Sequence, residues 1–212
     1  MQLDFDKTTE LLKKYKIPLS KSILCKKLDE ALKYSKKIGF PVVLKISSTE
    51  IIHKSDIGAV KTNINNEAEL EKAYEEIEKN VKKKKAKIEG IILQKQITGK
   101  EIIIGGKKDP QFGPVIMFGL GGIFVEIFKD VSFRITPIDK ESAKQMIEEI
   151  ESYQILKGAR GEKSVKIDSL IDIIVKISNM VMKEDKIIEL DFNPVIVNQK
   201  TAEIVDVRII TE

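Results

Sequence analysis

Pro41-Val-Val-Leu-Lys-Ile46, followed by the polar loop 47–58 and by Val60-Lys-Thr-Asn-Ile64, decides how the rest of the chain is read. The first run is short and apolar with one lysine inside it, the pattern of a buried strand. The second alternates, as a half-buried strand does. Upstream, helical spacing covers residues 8–15, ending before Ile17-Pro18, and Leu28–Ile38, closing at Gly39. Downstream, Glu67–Lys82 is amphipathic at the helical period, with Asn66 as its N-cap. Residues 88–96 and 101–107 are β-like runs joined at Thr98-Gly99, which predicts a hairpin. Gly-rich turns over 113–122, a strand at Val131–Ile135, helices over 139–150 and 167–182, and short strands over 186–190, 195–198 and 202–209 complete the pass. Strand–loop–strand–helix units mixed with hairpins and turns predict an α+β fold, not a doubly wound parallel sheet.

The 212 residues are 42% hydrophobic and 33% charged, a soluble globular composition with room for one domain or two small lobes. Lysine and arginine number 37 against 33 acidic residues, a net charge of +4. That is too near balance for nucleic-acid binding by field alone. Only Arg134, Arg160 and Arg208 are arginines, tryptophan is absent, and aromatics are 6%, so base-stacking platforms are not expected either. Lys82-Lys-Lys-Lys85 reads as a solvated helix end, where cations suit the dipole. One cysteine, Cys25, and one histidine, His53, exclude an internal disulfide and a soft-ligand metal centre. No signal-like or membrane-length apolar run occurs, so a cytoplasmic location without membrane contact is expected.

Three places carry chemistry. Lys45 inside an apolar strand is costly to bury without an anion. Either the strand is an edge, or the ammonium pairs with a structural carboxylate, or it reaches a phosphate that the following loop also binds through backbone N–H groups. His53 lies in that loop between small and polar neighbours. A lone histidine can be idle, but imidazole can also attack phosphorus and leave again near neutral pH. The second place is Asp109 to Glu126, where Gly119-x-Gly121-Gly122 permits close backbone approach; it is neither a dinucleotide fingerprint nor a P-loop, and suits a tight turn equally. Seven of the twelve glycines fall between positions 99 and 122. The third is Glu189-Leu-Asp191-Phe-Asn193-Pro194 with Asp206. Period two puts Glu189, Asp191 and Asn193 on one strand face, which suits either a hard cation such as Mg²⁺ or an exposed edge that tolerates proline.

Gly39-Phe-Pro-Val-Val-Leu-Lys-Ile46, His53-Lys-Ser-Asp-Ile-Gly58, Lys100-Glu-Ile-Ile-Ile-Gly105, Asp109-Pro-Gln-Phe-Gly-Pro114, Phe118-Gly-Leu-Gly-Gly-Ile-Phe-Val-Glu126, Phe133-Arg134 and Asp191-Phe-Asn-Pro194 occur in this order. Together they resemble the ATP-grasp domain of the NDP-forming acyl-CoA synthetases across almost the whole chain. The resemblance is strongest to separately encoded β subunits of ADP-forming acetate–CoA ligases and weaker to those of succinyl-CoA ligases. It implies a single ATP-grasp domain over 1–212, with two α+β lobes, 21–94 and 1–20 plus 95–212, clamping a nucleotide between antiparallel sheets. It further implies that Lys45, Ser55, Gly58, Gln94, Lys95, Gln96 and Glu101 bind ADP or ATP. In the same picture Asn193 and Asp206 hold Mg²⁺, and His53 with Asp191 passes a phosphoryl group. The partner would be a CoA-binding α subunit in an α2β2 assembly, since this chain carries no second histidine and no CoA-binding unit of its own. A stand-alone nucleotide-binding module or another ATP-grasp carboxylate ligase are the other readings: the first has no use for His53, and the second needs an acid pocket within this chain.

Overall fold

Alternation of apolar residues produces two antiparallel sheets, one in each of two units: Ser20–Ile97, and Met1–Leu19 with Thr98–Glu212. The computed structural model describes residues 1–51, 57–82, 86, 88–122, 125, 127–159 and 161–212. His53, Ser55, Lys83 to Lys85 and Glu126 lie outside the described residues.

In the smaller unit, β1 (Ser22–Cys25), β4 (Gly90–Lys95), β2 (Val42–Ser47) and β3 (Val60–Ile64) lie side by side in that order. The helices α2 (Leu28–Ile38) and α3 (Glu67–Lys82) supply Ala31, Leu70, Ala73, Tyr74, Ile77 and Val81 to a core with Val42, Leu44, Ile46, Ile64, Ile91 and Leu93. Asn66 caps α3 as expected, its Oδ1 accepting from Glu69 N at 2.9 Å.

In the larger unit the sheet order is β10 (Val207–Thr211), β8 (Ile187–Val197), β5 (Lys100–Asp109), β6 (Gly113–Leu120) and β7 (Val131–Ile135), with β9 (Ala202–Ile204) also on β8. The helices are α1 (Phe5–Lys14), α4 (Lys140–Glu148), α5 (Tyr153–Lys157) and α6 (Ile167–Lys183). Leu12, Met146, Leu156, Ile173 and Ile177 from those helices share a core with Ile102, Ile104, Ile116, Phe118, Leu190 and Phe192 of the sheet. Asp139 caps α4 through a 2.7 Å bond from Ser142 N. The two chain ends lie side by side: Thr211 N donates to Met1 O at 2.8 Å, and Leu3 N donates to Ile209 O at 2.9 Å. Among the described residues no helix is long and apolar enough to cross a membrane.

Four expectations need correcting. Thr98-Gly99 is no hairpin, because β4 and β5 belong to different sheets. A Cβ at Gly99 would come within 2.3 Å of Val197 O, so the glycine serves close approach and not a turn. The hairpin is the next one along: residues 113–120, read as Gly-rich turns, form β6 and pair with β5 from Ile102↔Leu120 to Asp109↔Gly113. The boundary between units falls after Ile97 instead of after residue 94, since Gln96 is tied to Asn63 by bonds of 2.6 and 2.7 Å. Last, residues 187–197 form one strand, β8, which lies between β5 and β10 and is no edge. Its Pro194 is accommodated by a register slip in which Asn193 and Pro194 together oppose Ile103 alone, between the pairs Ile102↔Val195 and Ile104↔Phe192.

Phe118 is fully buried in the larger core, whereas Phe133 is 56% exposed. Phe118→Ala should cost about 3–5 kcal/mol of unfolding free energy. Phe133→Ala should stay within about 0.5 kcal/mol of the parent protein in the same urea titration.

Candidate functional site

Lys45 sits in β2 across from Val60 of β3 and Ile92 of β4. β2 is therefore an interior strand, which removes the edge explanation for its lysine. Val42, Leu44 and Ile46 face the helices, so Val43, Lys45 and Ser47 point to the other side of the sheet. Cross-strand partners share a face, and Val43 is paired with Gln94. Lys45 and Gln94 are thus diagonal neighbours on one face, 6% and 1% exposed. A buried ammonium beside a buried amide is a polar pair set into an otherwise apolar strand surface, which is what anion recognition requires.

The other residues expected around the nucleotide are engaged within their own units. Lys95 directs its ammonium to the carbonyls of Gly39 and Phe40, at 3.0 and 2.8 Å, a cation at the C-terminal end of α2. Gln96 spends its amide on Asn63, donating from Nε2 and accepting from the Asn63 N–H. Gly58 has φ +62°, and a Cβ there would meet Asn80 Nδ2 at 2.9 Å. That glycine is required by the backbone whatever it also binds. Glu101 is exposed on β5, on the face opposite Ile102 and Ile104, and its carbonyl accepts from Gly121 N at 2.7 Å. Gly121 could not carry a Cβ without coming within 3.2 Å of that carbonyl oxygen. The tight-turn reading of Gly119-x-Gly121-Gly122 therefore accounts for Gly121 by backbone packing.

The oxygen-bearing residues cluster at the slip in β8. Leu190 and Phe192 face the core before it, Val195 and Val197 after it. Glu189 and Asp191 occupy the opposite face, while Asn193 is lifted out of the alternation and exposed. Asn193 N donates to Asp206 O at 3.2 Å, and Val205 N donates to Pro194 O at 3.0 Å, so Asn193 and Asp206 are side by side. One Asp206 carboxylate oxygen accepts from Val207 N at 3.1 Å. Burial pushes the Asp191 carboxyl above the ordinary range, Arg208 pulls it down, and Asp206 and Glu189 add to the rise. The acidic groups therefore feel one another, and a cation would relieve them.

Among the described residues no group of three His, Cys, Asp or Glu is arranged to hold a metal. Asn193 and Asp206 nevertheless fit Mg²⁺: they are adjacent hard oxygen donors, and this ion typically takes one or two protein oxygens and completes its shell with water and phosphate. The sequence reading overlooked Arg208 except as one of three arginines. It is the Cα partner of Asp191 and forms an ion pair with Glu189. The alternation over 207–211 opposite the acidic strand was the signal that could have found it.

Residues 1–211 match the ATP-grasp domain family. The chain is 50% identical over 204 residues to the β subunit of ADP-forming acetate–CoA ligase I of Pyrococcus furiosus, covering 95% of this chain and 88% of that one. It is 45% identical to the ADP-forming acetate–CoA ligase I of Archaeoglobus fulgidus, covering 94% of this chain and 30% of that one. A solved structure of the dinucleotide-forming acetyl-coenzyme A synthetase 1 of Candidatus Korarchaeum cryptofilum, with coenzyme A, Ca-AMPCP and HgCl⁺, superposes with a TM-score of 0.95 at 44% identity, covering 100% of this chain and 93% of that one. Another structure of that enzyme contains coenzyme A and Mg-AMPPCP, with a phosphohistidine segment pointing towards the nucleotide binding site; its TM-score is 0.85 at 41% identity, over 99% and 92% of the two chains. This chain belongs to the ATP-grasp family and, within it, to the β subunits of ADP-forming acetate–CoA ligases.

Proposed function

We propose that the chain is the nucleotide-binding subunit of an ADP-forming acid–CoA ligase, coupling acyl-CoA cleavage to ATP synthesis by way of a phosphohistidine. The observation that carries this reading is the juxtaposition of Asp191, Asn193 and Asp206 at the β8 slip, in a chain half identical to such a β subunit. Lys45, buried on its sheet face beside Gln94, binds the phosphates of ADP or ATP. Gln94, Lys95 and Gln96 line the adenine side, where the side chains of the last two hold the surrounding backbone and Asn63 in place. Glu101 lies on the ribose side, and Ser55 and Gly58 belong to the phosphate-binding loop. Bound Mg²⁺, held by Asn193 and Asp206, would offset phosphate charge during transfer.

His53, the only histidine, accepts a phosphoryl group arising on a CoA-binding α subunit and delivers it to ADP. Asp191 accepts a hydrogen bond from the far ring nitrogen, which fixes the tautomer and leaves the near nitrogen as nucleophile. The phosphohistidine segment of the Korarchaeum enzyme, in one structure phosphorylated and in another pointing to the nucleotide site, supports this route. The β-subunit relative and a relative more than three times as long support such a partner. An α2β2 complex in the cytoplasm is the assembly we propose.

Mixing the chain with an α subunit and assaying ATP formation from acyl-CoA, ADP and phosphate tests the function directly. His53→Ala should abolish that synthesis while calorimetry still records nucleotide binding; turnover at the parent rate would remove the relay. Asn193→Ala and Asp206→Ala should each raise the Mg²⁺ concentration needed for nucleotide binding, and unchanged Mg²⁺ titrations would overturn the metal assignment. Lys45→Ala should weaken ADP binding by about 1–3 kcal/mol, the scale of one charge-assisted contact.

A further inference from the structure

We propose that Arg208 is a catalytic residue that contacts the phosphoryl group in transit, its guanidinium held in place by Glu189 on the acidic face of β8. The inference rests on the function proposed above and names a group in that site which neither the motifs nor the relatives assign.

The placement comes from strand register. Arg208 is the Cα partner of Asp191 on one side, and Gly105 is its partner on the other. Leu190↔Ile209 and Phe192↔Val207 turn to the core, so Asp191 and Arg208 share the opposite face with Glu189. Gly105 has no side chain to offer, and a Cβ there would lie 3.2 Å from Met117 Cε. Of the two residues directly across from Asp191, Arg208 is therefore the one with a side chain on that face.

Its own contacts leave it able to act. One guanidinium nitrogen, Nη2, donates to Glu189 Oε1. A guanidinium carries five N–H donors in a planar fork, so one such bond orients it without exhausting it. The side chain is 35% exposed and that of Glu189 40%. An ion pair so exposed contributes little stability and could as well be made by lysine. Yet this chain uses lysine for 34 of its 37 basic residues, counting all but Arg134, Arg160 and Arg208. Arginine at this position suits a task that needs forked donors.

Charge gives the task. Glu189, Asp191 and Asp206 are three carboxylates within a few residues of one another in space, and a phosphoryl group arriving there brings further negative charge. Lys107, the partner of Glu189 on β5, is exposed at the far end of the row. In the transfer, the P–N bond to the His53 imidazole breaks as a P–O bond to the terminal oxygen of ADP forms. The ring nitrogen keeps the electron pair, and the proton on the other ring nitrogen leaves a neutral imidazole. The three non-bridging oxygens move with phosphorus and share the charge of the transition state, and two N–H groups of Arg208 donate to them.

The test uses the complex with the α subunit and compares the parent chain with Arg208→Lys and Arg208→Met. Arg208→Met should lower kcat for ATP synthesis by roughly a hundredfold, the scale for losing a donor to a transition-state oxyanion, with the KM for ADP little changed. Arg208→Lys keeps the ion pair and the charge but not the fork, and should still lose about tenfold, with an unchanged melting temperature. Turnover of Arg208→Lys at the parent rate would show that a cross-strand ion pair suffices and would overturn the proposal. Should Arg208→Met fail to fold, the lysine variant decides alone. A parent complex that makes no ATP from any acyl-CoA overturns the function and this role with it, whereas an active parent beside an unimpaired lysine variant overturns the role of Arg208 only.

Discussion

The larger unit is organised by a conflict within one strand. β8 is hydrogen-bonded on both sides and must present apolar residues to the helices along its whole length, yet it contains Asn193-Pro194 where the alternation should continue. The slip against Ile103 resolves it. Phe192 and Val195 both reach the core, and the two intervening residues are displaced from the pleat. Because the link between β9 and β10 passes beside that slip, Asp206 is delivered next to Asn193 by backbone hydrogen bonds, independently of any ligand. A local irregularity in pairing and a pair of oxygen donors are thus one feature.

Legibility in the sequence follows from the range of the interactions involved. Leu28–Ile38, Val60–Ile64, Glu67–Lys82 and Val131–Ile135 are read at their observed bounds because their signals, apolar period and capping residues, are local. β6 was missed because Gly113, Gly119 and the proline between them imitate a turn; only pairing with β5 and β7 makes the segment a strand. β1 escaped notice because four residues carry too little period. Thr98-Gly99 looked like a hairpin since nothing local states that flanking strands belong to separate sheets. The Glu189, Asp191, Asn193 row was legible as chemistry but not as geometry: strict alternation cannot anticipate a slip, and the edge that Pro194 left open as an alternative is excluded only by the pairing of β8 on both sides.

The residues around β4 separate two meanings of a polar side chain. Lys45 and Gln94 are buried on the face away from the helices, where no packing need calls for polarity. Lys95 and Gln96, one and two residues further on, hold α2 and the strained Asn63, at φ 58°, in place. Sequence proximity alone would group all four. Placement divides them into a buried pair on the sheet face away from the helices and a scaffold that keeps its strand fixed.

The paired termini have an architectural meaning. Met1 and Thr211 exchange backbone hydrogen bonds, so the larger unit begins and ends at one point. The smaller unit is likewise closed on itself, with Lys95 N bonded to Lys21 O and Ser20 Oγ to Lys95 O. The smaller unit thus has a single doorway and is set within the sequence of the larger, which opens there between Leu19 and Thr98 as well as at its paired ends. Chains of this topology are readily spliced, because an insertion or a join at a doorway leaves every strand pairing intact. An exchange of residues 20–97 would carry the smaller unit whole.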